Sequence, residues 1–264
     1  MDSNSCWICD ASCTDLGDAE LLGHPVHFSL CSECGSVRTE EPFWLDEAYS
    51  RPTPDLGLVD RNLQQARAIR LIYSTLGGKG KLLDFGGGTG LLVRLLRDRG
   101  VDAWWCDPMA ANQMARGFNA ALSDARWTAI TAIEVLEHVP RTASIVKNLM
   151  SLTDCLIIST LPIPEPAPPF DQWWYYLLDE GQHVSFPTIR GLKRLAASNG
   201  AQLISSGSMH LIVRTSPLRM TMLEGVVRAM RVSAKVHSLR RSLLTKDATS
   251  LAGLMVDKRG GGTN

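Results

Sequence analysis

The sequence predicts an α/β fold in which a small cysteine-rich module precedes a doubly wound, mostly parallel sheet. Three observations support this prediction. Patterns typical of buried strands alternate with helical patterns from about residue 60 onward, as in sheets with crossover helices. A glycine-rich turn separates the first of these strands from the helix after it. Two CxxC pairs lie near the start of the chain, where a metal can replace a hydrophobic core.

Length and composition limit the possible classes of protein. The chain has 264 residues, 45% of them hydrophobic, which is enough for one well-buried domain with additional segments. Its 27 acidic and 27 basic side chains give no net charge, so no overall attraction to nucleic acid or to an anionic membrane is expected. Acidic residues are concentrated near the start and basic ones after Arg190, so the two ends could attract each other or a partner.

From the sequence we expect neither a membrane segment nor a secretion signal. No stretch approaches the roughly 18 consecutive apolar residues of a membrane-spanning helix. Residues 1–5 lack the basic and apolar regions of a signal peptide. We therefore expect a cytoplasmic protein, in which paired thiols indicate a metal more often than a disulfide.

The two CxxC pairs have the spacing of a zinc site. Cys6 and Cys9 form the first pair, and Cys31 and Cys34 form the second about twenty residues later. A two-residue spacer lets both sulfurs of a pair face one ion. Because four thiolates close the coordination shell, we expect a structural Zn²⁺ rather than a catalytic one. Three residues in the intervening loop could replace one ligand: Cys13, His24 and His27.

The glycine-rich turn has the pattern D-x-G-x-G-x-G at the end of the first predicted strand. Glycines at this spacing let the backbone approach a nucleotide-like ligand with no side chain between them. A dinucleotide fingerprint needs a glycine at position 91, and a P-loop needs a Gly-Lys-Ser/Thr ending, so the pattern favours neither NAD nor ATP. The residues expected to line the ligand here are Asp84, Phe85, Gly86, Gly88 and Gly90.

An acidic residue also follows the second predicted strand. The apolar run over residues 101–106 ends at Asp107, about twenty residues past the glycine turn, and Pro108 comes next. A carboxylate at this point of a strand-helix-strand unit accepts hydrogen bonds from ribose hydroxyls. We therefore expect Asp107 and Pro108 to contribute to the same ligand site.

From about residue 60 to residue 215, the sequence resembles the class I S-adenosylmethionine (SAM)-dependent methyltransferases, whose fold is Rossmann-like. Residues 84–90 are similar to the cofactor motif of that family, and Asp107 is similar to its ribose-binding acid. Residues 132–139 resemble the segment that closes the fourth strand of the family's sheet. The resemblance implies SAM as the cofactor, Glu134 near it, and an antiparallel terminal strand.

The resemblance includes one departure and one looser match. The family usually has a third strand followed by an acid that holds the adenine amine, but here residues 117–124 are short. Asp124 could fill that role or be a solvated loop residue. Residues 182–187 resemble the substrate side of a subgroup that carries an N-terminal zinc module and includes sugar C-methyltransferases.

A proline-rich stretch over residues 161–169 is followed by an aromatic one over residues 170–176. Proline makes this segment a stiff excursion from the carboxyl edge of the strands, where open α/β sheets bind ligands. Its aromatic residues could form the wall of a substrate pocket or cover the core. The other predicted elements are helices over 63–72, 142–152 and 188–199, a strand over 154–160, and a terminal hairpin of 201–206 and 210–215.

These patterns divide the chain into three parts. We expect a zinc-binding module over residues 1–45 and a methyltransferase domain over residues 46–216. Residues 217–264 would contain a basic helix over 219–246 and a disordered tail over 260–264.

Methyl transfer from a sulfonium requires mainly in-line positioning in a dry site, because the leaving group is already activated. A carbon or hydroxyl acceptor must also lose a proton. The candidate bases near the carboxyl edge are His138, which is our first choice, then His183 and Glu137. A histidine in such a position could equally make a capping or core hydrogen bond.

The sequence therefore favours a methyltransferase that acts on a small-molecule acceptor, such as a sugar or a secondary metabolite. Two alternatives stay open: a methyltransferase that recognises protein or nucleic acid through the zinc module, and a catalytically silent SAM-binding module. The acidic module has few cations to meet phosphates, so nucleic acid is not expected as a partner. The oligomeric state is open.

Overall fold

The computed structural model describes residues 4–50 and 57–237, which form two sheets and six α-helices. The strands are β1 (Cys13–Leu21), β2 (His24–Cys31), β3 (Val37–Thr39), β4 (Leu82–Phe85), β5 (Ala103–Cys106), β6 (Ala129–Ile133), β7 (Cys155–Ser159), β8 (Ser185–Phe186), β9 (Gln202–Ser206) and β10 (Met209–Val213). The α-helices are α1 (Leu45–Ser50), α2 (Leu58–Thr75), α3 (Leu91–Arg97), α4 (Thr142–Leu152), α5 (Ile189–Ser198) and α6 (Pro217–His237).

The larger sheet has six strands in the order β5-β4-β6-β7-β10-β9. Strands β5, β4, β6 and β7 are parallel, whereas β10 runs antiparallel to both of its neighbours, β7 and β9. Strand β5, which follows β4 along the chain, lies on one side of β4, and the later strands lie on the other side. The strand order therefore reverses at β4. The predicted fold class, a doubly wound, mostly parallel sheet with an antiparallel terminal strand, is confirmed.

Apolar side chains cover both faces of this sheet. In β4, Leu82 belongs to one buried cluster and Leu83 to another, because successive side chains of a strand point to opposite faces. All five residues of β7 are buried. Strands buried on both faces have continuous rather than alternating apolar patterns, as the sequence of β7 does.

The predicted helices agree with the structure in type and differ from it mainly at their starts. Helix α4 has the predicted bounds, and α5 lies within the predicted segment, with the Thr188 hydroxyl accepting a hydrogen bond from the Gly191 amide as an N-cap. Helix α2 begins at Leu58 rather than at residue 63. Helix α6 matches the start of the predicted basic helix. The rest of that prediction, with the disordered tail, lies outside the described residues.

The region of the expected third strand is irregular. Asn119 makes an isolated parallel bridge to Trp105 of β5, and no strand forms over the described residues 107–128. Asp124 ends a 3-10 turn, where its carboxylate accepts a hydrogen bond from the Ala121 amide at 2.7 Å. This bond uses one of the two carboxylate oxygens of Asp124.

The N-terminal residues form a second sheet in the order β1-β2-β3-β8. Its last strand, β8, belongs to the segment that resembles the substrate side of the methyltransferases, and it pairs with β3 in antiparallel register. The Thr39 amide also donates to the Val184 carbonyl at 2.9 Å, and the Ala143 amide donates to the Trp7 carbonyl at 2.8 Å. The cysteine-rich sheet is therefore joined through backbone hydrogen bonds to the domain that contains the larger sheet.

Most of the aromatic stretch packs against the N-terminal sheet. The ring of Tyr176 packs against Phe28 and Phe186, and all three side chains are fully buried. Trp174, in contrast, is 71% exposed. One exposed ion pair, between Arg194 and Glu33 at 2.8 Å, links the basic and acidic ends of the chain as the charge distribution suggested. Among the described residues, no helix is both long and apolar enough to cross a bilayer.

Candidate active site

The glycine turn between β4 and α3 presents one open side. Gly86, Gly88 and Gly90 all have positive φ angles, of 70°, 51° and 83°. A β-carbon on Gly86 would lie 2.6 Å from Val135 Cγ2, and one on Gly90 would lie 2.6 Å from Asn112 Oδ1. On Gly88 it would meet no described atom within 4 Å. At Gly86 and Gly90 the packing therefore leaves no room for a side chain, whereas Gly88 faces space that a ligand can enter.

Asp107 holds the glycine turn against the end of β5. Its Oδ2 atom accepts a hydrogen bond from the Gly88 amide at 2.8 Å, and its Oδ1 atom accepts from the amides of Met109 and Ala110 at 2.7 and 2.9 Å. Pro108 lies within the turn that the last two bonds close. Because each carboxylate oxygen has about two acceptor positions, Asp107 can still accept from a ligand hydroxyl. The sequence did not indicate that Asp107 also holds the glycine turn in place through these backbone amides.

Asp84 is buried beneath the turn, and Phe85, half-buried, ends the strand. The Thr131 hydroxyl donates to Asp84 Oδ1 at 2.6 Å, but Asp84 Oδ2 has no hydrogen-bond partner among the described residues. Burial raises the pKa of Asp84 to about 7, and the nearby charge of Asp107 adds to the rise.

Glu134 has a strained backbone at the carboxyl end of β6. Its φ of 53° lies in the left-handed region, which is uncommon for residues other than glycine. The Glu134 amide donates to Ser159 Oγ at 2.9 Å, and the Ser159 hydroxyl donates back to the Glu134 carboxylate. The next residue, Val135, borders Gly86. The structure thus places Glu134 beside the glycine turn, but its side chain is held by the end of β7.

The three candidate bases lie together. Glu137, His138 and His183 each offer a ligand atom, and these atoms lie within 4.8 Å of one another. The rings of the two histidines are 4.7 Å apart. Glu137 and His183 are buried, whereas His138 keeps part of its surface accessible. The tertiary fold therefore brings residues from two distant segments of the chain into one cluster, which we call the His-Glu cluster.

Hydrogen bonds fix the orientation of both imidazole rings. His138 Nδ1 lies 3.1 Å from the Gln182 carbonyl oxygen, and His183 Nδ1 lies 2.8 Å from the Tyr175 carbonyl oxygen. Because a carbonyl oxygen only accepts, each Nδ1 carries the proton and each Nε2 is left with a free lone pair. Burial lowers the pKa of His138 to about 4. Burial and the neighbouring His138 lower the pKa of His183 to about 3, so both rings are neutral at pH 7.

Two tyrosines contact the His-Glu cluster: Tyr175, from the predicted aromatic stretch, and Tyr49, which the sequence did not indicate. The Tyr175 hydroxyl donates to Glu137 Oε1, and burial together with the charge of Glu134 raises the pKa of Glu137 to about 8. The Tyr49 ring lies 6.3 Å from His138. Tyr49 precedes the glycine turn by many residues, and nothing in its local sequence indicates this position.

The four predicted zinc ligands also lie together. The sulfurs of Cys6, Cys9, Cys31 and Cys34 are within 4.8 Å of one another, with separations of 3.7 Å for Cys6–Cys34 and 3.6 Å for Cys9–Cys31. A tetrahedron with Zn–S bonds of about 2.3 Å has S···S edges of about 3.8 Å. The amide of Ile8 lies 3.4 Å from Cys6 Sγ, as expected for a thiolate acceptor. The donor set and its spacing fit Zn²⁺.

The three alternative ligands occupy different surroundings. His24 pairs with Glu47 at 2.9 Å, and His27 pairs with Asp18 at 2.9 Å, so both side chains have carboxylate partners outside the cysteine cluster. Cys13 is buried beside Cys6, whose side-chain hydrogen bond lowers the pKa of Cys13. It is a fifth thiol next to the regular set of four.

Comparison with known protein families identifies the larger domain. Residues 59–206 match the sequence model of a family described as a methyltransferase domain, and this match covers more than half of the chain. The chain belongs to this methyltransferase family. The matched region contains the glycine turn, Asp107 and the His-Glu cluster.

Several solved structures are similar to this methyltransferase. An O-methyltransferase family protein from Burkholderia thailandensis has 12% sequence identity and a TM-score of 0.44, and the match covers 56% of this chain and 55% of that protein. Magnesium protoporphyrin IX methyltransferase from Synechocystis PCC 6803, solved with bound SAM, has 16% identity and a TM-score of 0.41 over 64% of this chain and 88% of that one. The chain thus spans about half the length of the first protein. No curated protein sequence matches it.

The buried carboxyl of Asp84 predicts a pH-dependent stability. Its pKa of about 7 exceeds the unfolded value of about 4, so the unfolded chain releases this proton first as pH rises. Between about pH 4 and pH 7 the wild-type protein therefore loses stability through this group, and Asp84→Asn does not. The quantity to compare is the unfolding free energy of Asp84→Asn minus that of the wild-type protein. We expect this difference to be about 2 to 4 kcal/mol larger at pH 8 than at pH 4.

Urea denaturation at both pH values measures this difference. Asp60→Asn, an exposed carboxylate-to-amide change on α2, is the matched control and should show no comparable growth. If the difference in unfolding free energy between Asp84→Asn and the wild-type protein is the same at pH 4 and pH 8, the pKa of Asp84 is not raised.

Proposed function

We propose that the protein is an SAM-dependent methyltransferase that acts on a small-molecule acceptor. The observation that carries the proposal is the open side of the glycine turn at Gly88, next to the carboxylate of Asp107 at the carboxyl edge of the sheet. Ligands of doubly wound sheets bind where the strand order reverses, which here is beside β4. Membership of the methyltransferase family makes SAM the ligand that suits this place.

The residues of this edge fit such a cofactor. Gly88 lets the ligand approach the backbone, and Asp107 has acceptor capacity for ribose hydroxyls. Further cofactor contacts proposed from the sequence pattern are Asp84, Phe85, Gly86, Gly90, Pro108 and Glu134. When bound, SAM supplies a methyl group on a positively charged sulfonium. Acidic side chains around the edge favour binding of that charge.

Gly88→Ala tests the position of the cofactor. A methyl group at this position would enter the open space beside the turn, so we expect SAM affinity to fall at least about tenfold. The measurement is calorimetric titration with SAM.

Gly207→Ala is the matched control, because Gly207 also has a positive φ, of 62°, and open space at its β-carbon, but lies in the β9–β10 turn. It should carry a similar backbone strain and leave SAM affinity unchanged. Equal SAM affinity in Gly88→Ala and wild type would place the cofactor elsewhere.

The His-Glu cluster is the proposed site of acceptor activation. His138 is the first candidate for the base, since its Nε2 lone pair is free and the residue keeps part of its surface accessible. His183 has the same free nitrogen but is 4% exposed, and Glu137 is fully buried. A sugar or secondary metabolite with a hydroxyl, or with a carbon that can lose a proton, suits such a cluster.

The role of His138 is tested by turnover. We expect His138→Ala to lower turnover about a hundredfold or more while SAM affinity is kept. The assay measures the mass gain of acceptors found by screening sugars and secondary metabolites with the wild-type enzyme. His24→Ala, on the N-terminal sheet, is the control. Loss in His183→Ala alone would move the role to His183, and loss in neither variant would mean that no histidine base is required.

The N-terminal residues are proposed to bind one structural Zn²⁺ through Cys6, Cys9, Cys31 and Cys34. The module, proposed over residues 1–45, pairs through β3 with β8, and β8 follows His183 closely. This connection suggests that the module supports the active site rather than reading a macromolecule. The proposed methyltransferase domain covers residues 46–216, and residues 217–264 form the C-terminal part.

Metal analysis tests the zinc site. We expect about one zinc per chain that is released when thiols are titrated with a mercurial reagent, because four thiolates bind Zn²⁺ tightly at neutral pH. Cys34→Ser should lose this zinc and lower the melting temperature, since metal binding contributes folding free energy. Cys106→Ser, which changes a partly buried cysteine outside the cluster, should keep it. Wild-type protein without thiol-bound zinc would contradict the site.

A further inference from the structure

The two histidines of the His-Glu cluster have the arrangement of metal ligands. Each donates its Nδ1 proton to a backbone carbonyl, His138 to Gln182 and His183 to Tyr175. Within the described part of the chain, neither Nε2 atom has a hydrogen bond. Metal-binding histidines typically donate the proton of one ring nitrogen to a carbonyl or carboxylate, which orients the other nitrogen toward the ion.

Glu137 can supply a third metal ligand beside the two histidines. Its Oε1 atom accepts the hydrogen bond from the Tyr175 hydroxyl, whereas its Oε2 atom is buried without a partner among the described residues. The Thr160 hydroxyl is also buried without a partner in the described part of the chain, and it lies close enough to offset some of the rise that burial causes in the pKa of Glu137. A buried carboxylate oxygen normally has a partner, and this one is in place to bind a cation held by the two histidines.

We propose that Glu137, His138 and His183 bind a divalent transition-metal ion. Two imidazoles and one carboxylate are a donor set for Zn²⁺, Fe²⁺, Co²⁺ or Mn²⁺ that leaves coordination positions open. With bonds of about 2.1 Å, ligand atoms lie about 3.0 to 3.4 Å apart around the ion. One ring nitrogen of each histidine and one carboxylate oxygen of Glu137 lie within 4.8 Å of one another, so movements of about 1 to 2 Å bring three ligand atoms to these separations.

This ion differs from the proposed thiolate-bound zinc in its role. Three protein ligands leave room for an acceptor hydroxyl, whose pKa the cation lowers. The hydroxyl proton would leave to water, and the oxygen would use the electron pair it keeps to form a bond to the methyl carbon. The bond between that carbon and the sulfonium sulfur would break, and its electrons would stay on the sulfur, which leaves as a neutral thioether. In that case the histidines hold the cation and do not take the proton themselves. Only this catalytic role rests on the proposed function, because metal binding does not require methyl transfer.

Manganese binding to the full-length protein tests the site. Hard Mn²⁺ discriminates against the thiolate set, which keeps its own metal. After mild chelation and gel filtration, Mn²⁺ is titrated and the free ion is counted by electron paramagnetic resonance. We expect one bound Mn²⁺ per chain. Glu137→Gln, which keeps an acceptor for Tyr175, and His183→Asn should each weaken binding at least about tenfold. His27→Asn, from the His27–Asp18 pair on the N-terminal sheet, should not.

A spectroscopic measurement on wild-type protein keeps the test independent of whether the variants fold. Electron spin echo modulation of the bound Mn²⁺ should show coupling to two imidazole nitrogens. The proposal is overturned if wild-type protein binds no Mn²⁺, if the modulation lacks imidazole coupling, or if folded Glu137→Gln and His183→Asn bind as tightly as wild type. SAM titration of the same sample separates the two proposals, since SAM binding without Mn²⁺ binding rejects only the metal site.

Discussion

The candidate site depends on one backbone pairing, between β3 of the cysteine-rich sheet and β8 of the methyltransferase domain. Strand β3 begins just after Cys34, and β8 begins just after His183 and Val184. The Thr188 hydroxyl strengthens this connection, because it donates to the Cys34 carbonyl and caps α5 at the same time. Whatever fixes the four cysteines therefore also fixes the segment that carries His183 and that orients His138 through the Gln182 carbonyl.

The carboxyl edge of the sheet concentrates acidic groups in apolar surroundings. Asp84 and Glu137 are both fully buried, and each has one oxygen without a partner among the described residues. Desolvation of such groups opposes folding, so their presence is typical of sites selected for function. A cationic sulfonium beside the glycine turn and a divalent cation at the His-Glu cluster would each offset part of this penalty. The two proposals thus have a common electrostatic basis.

Local patterns in the sequence were sufficient for most of the larger domain. Helix α4 has the predicted bounds because its apolar positions repeat at helical spacing, and β7 is continuous because it is buried on both faces. Residues 117–124, which are short in the sequence for the family's third strand, form no regular strand in the structure. The glycine spacing predicted the turn, since only glycine takes positive φ without strain. Each of these features is decided within a few residues along the chain.

The sheet with its crossover helices, the glycine turn with Asp107, and the two CxxC pairs can all be read from the amino-acid sequence. The tertiary structure alone decided that β8 joins the cysteine-rich sheet, that Tyr49 and Tyr175 reach the His-Glu cluster, and that Asp107 braces the turn through three backbone amides. The reason is physical. Periodicity and glycine spacing express local backbone preferences, whereas contacts between distant segments depend on how whole elements pack.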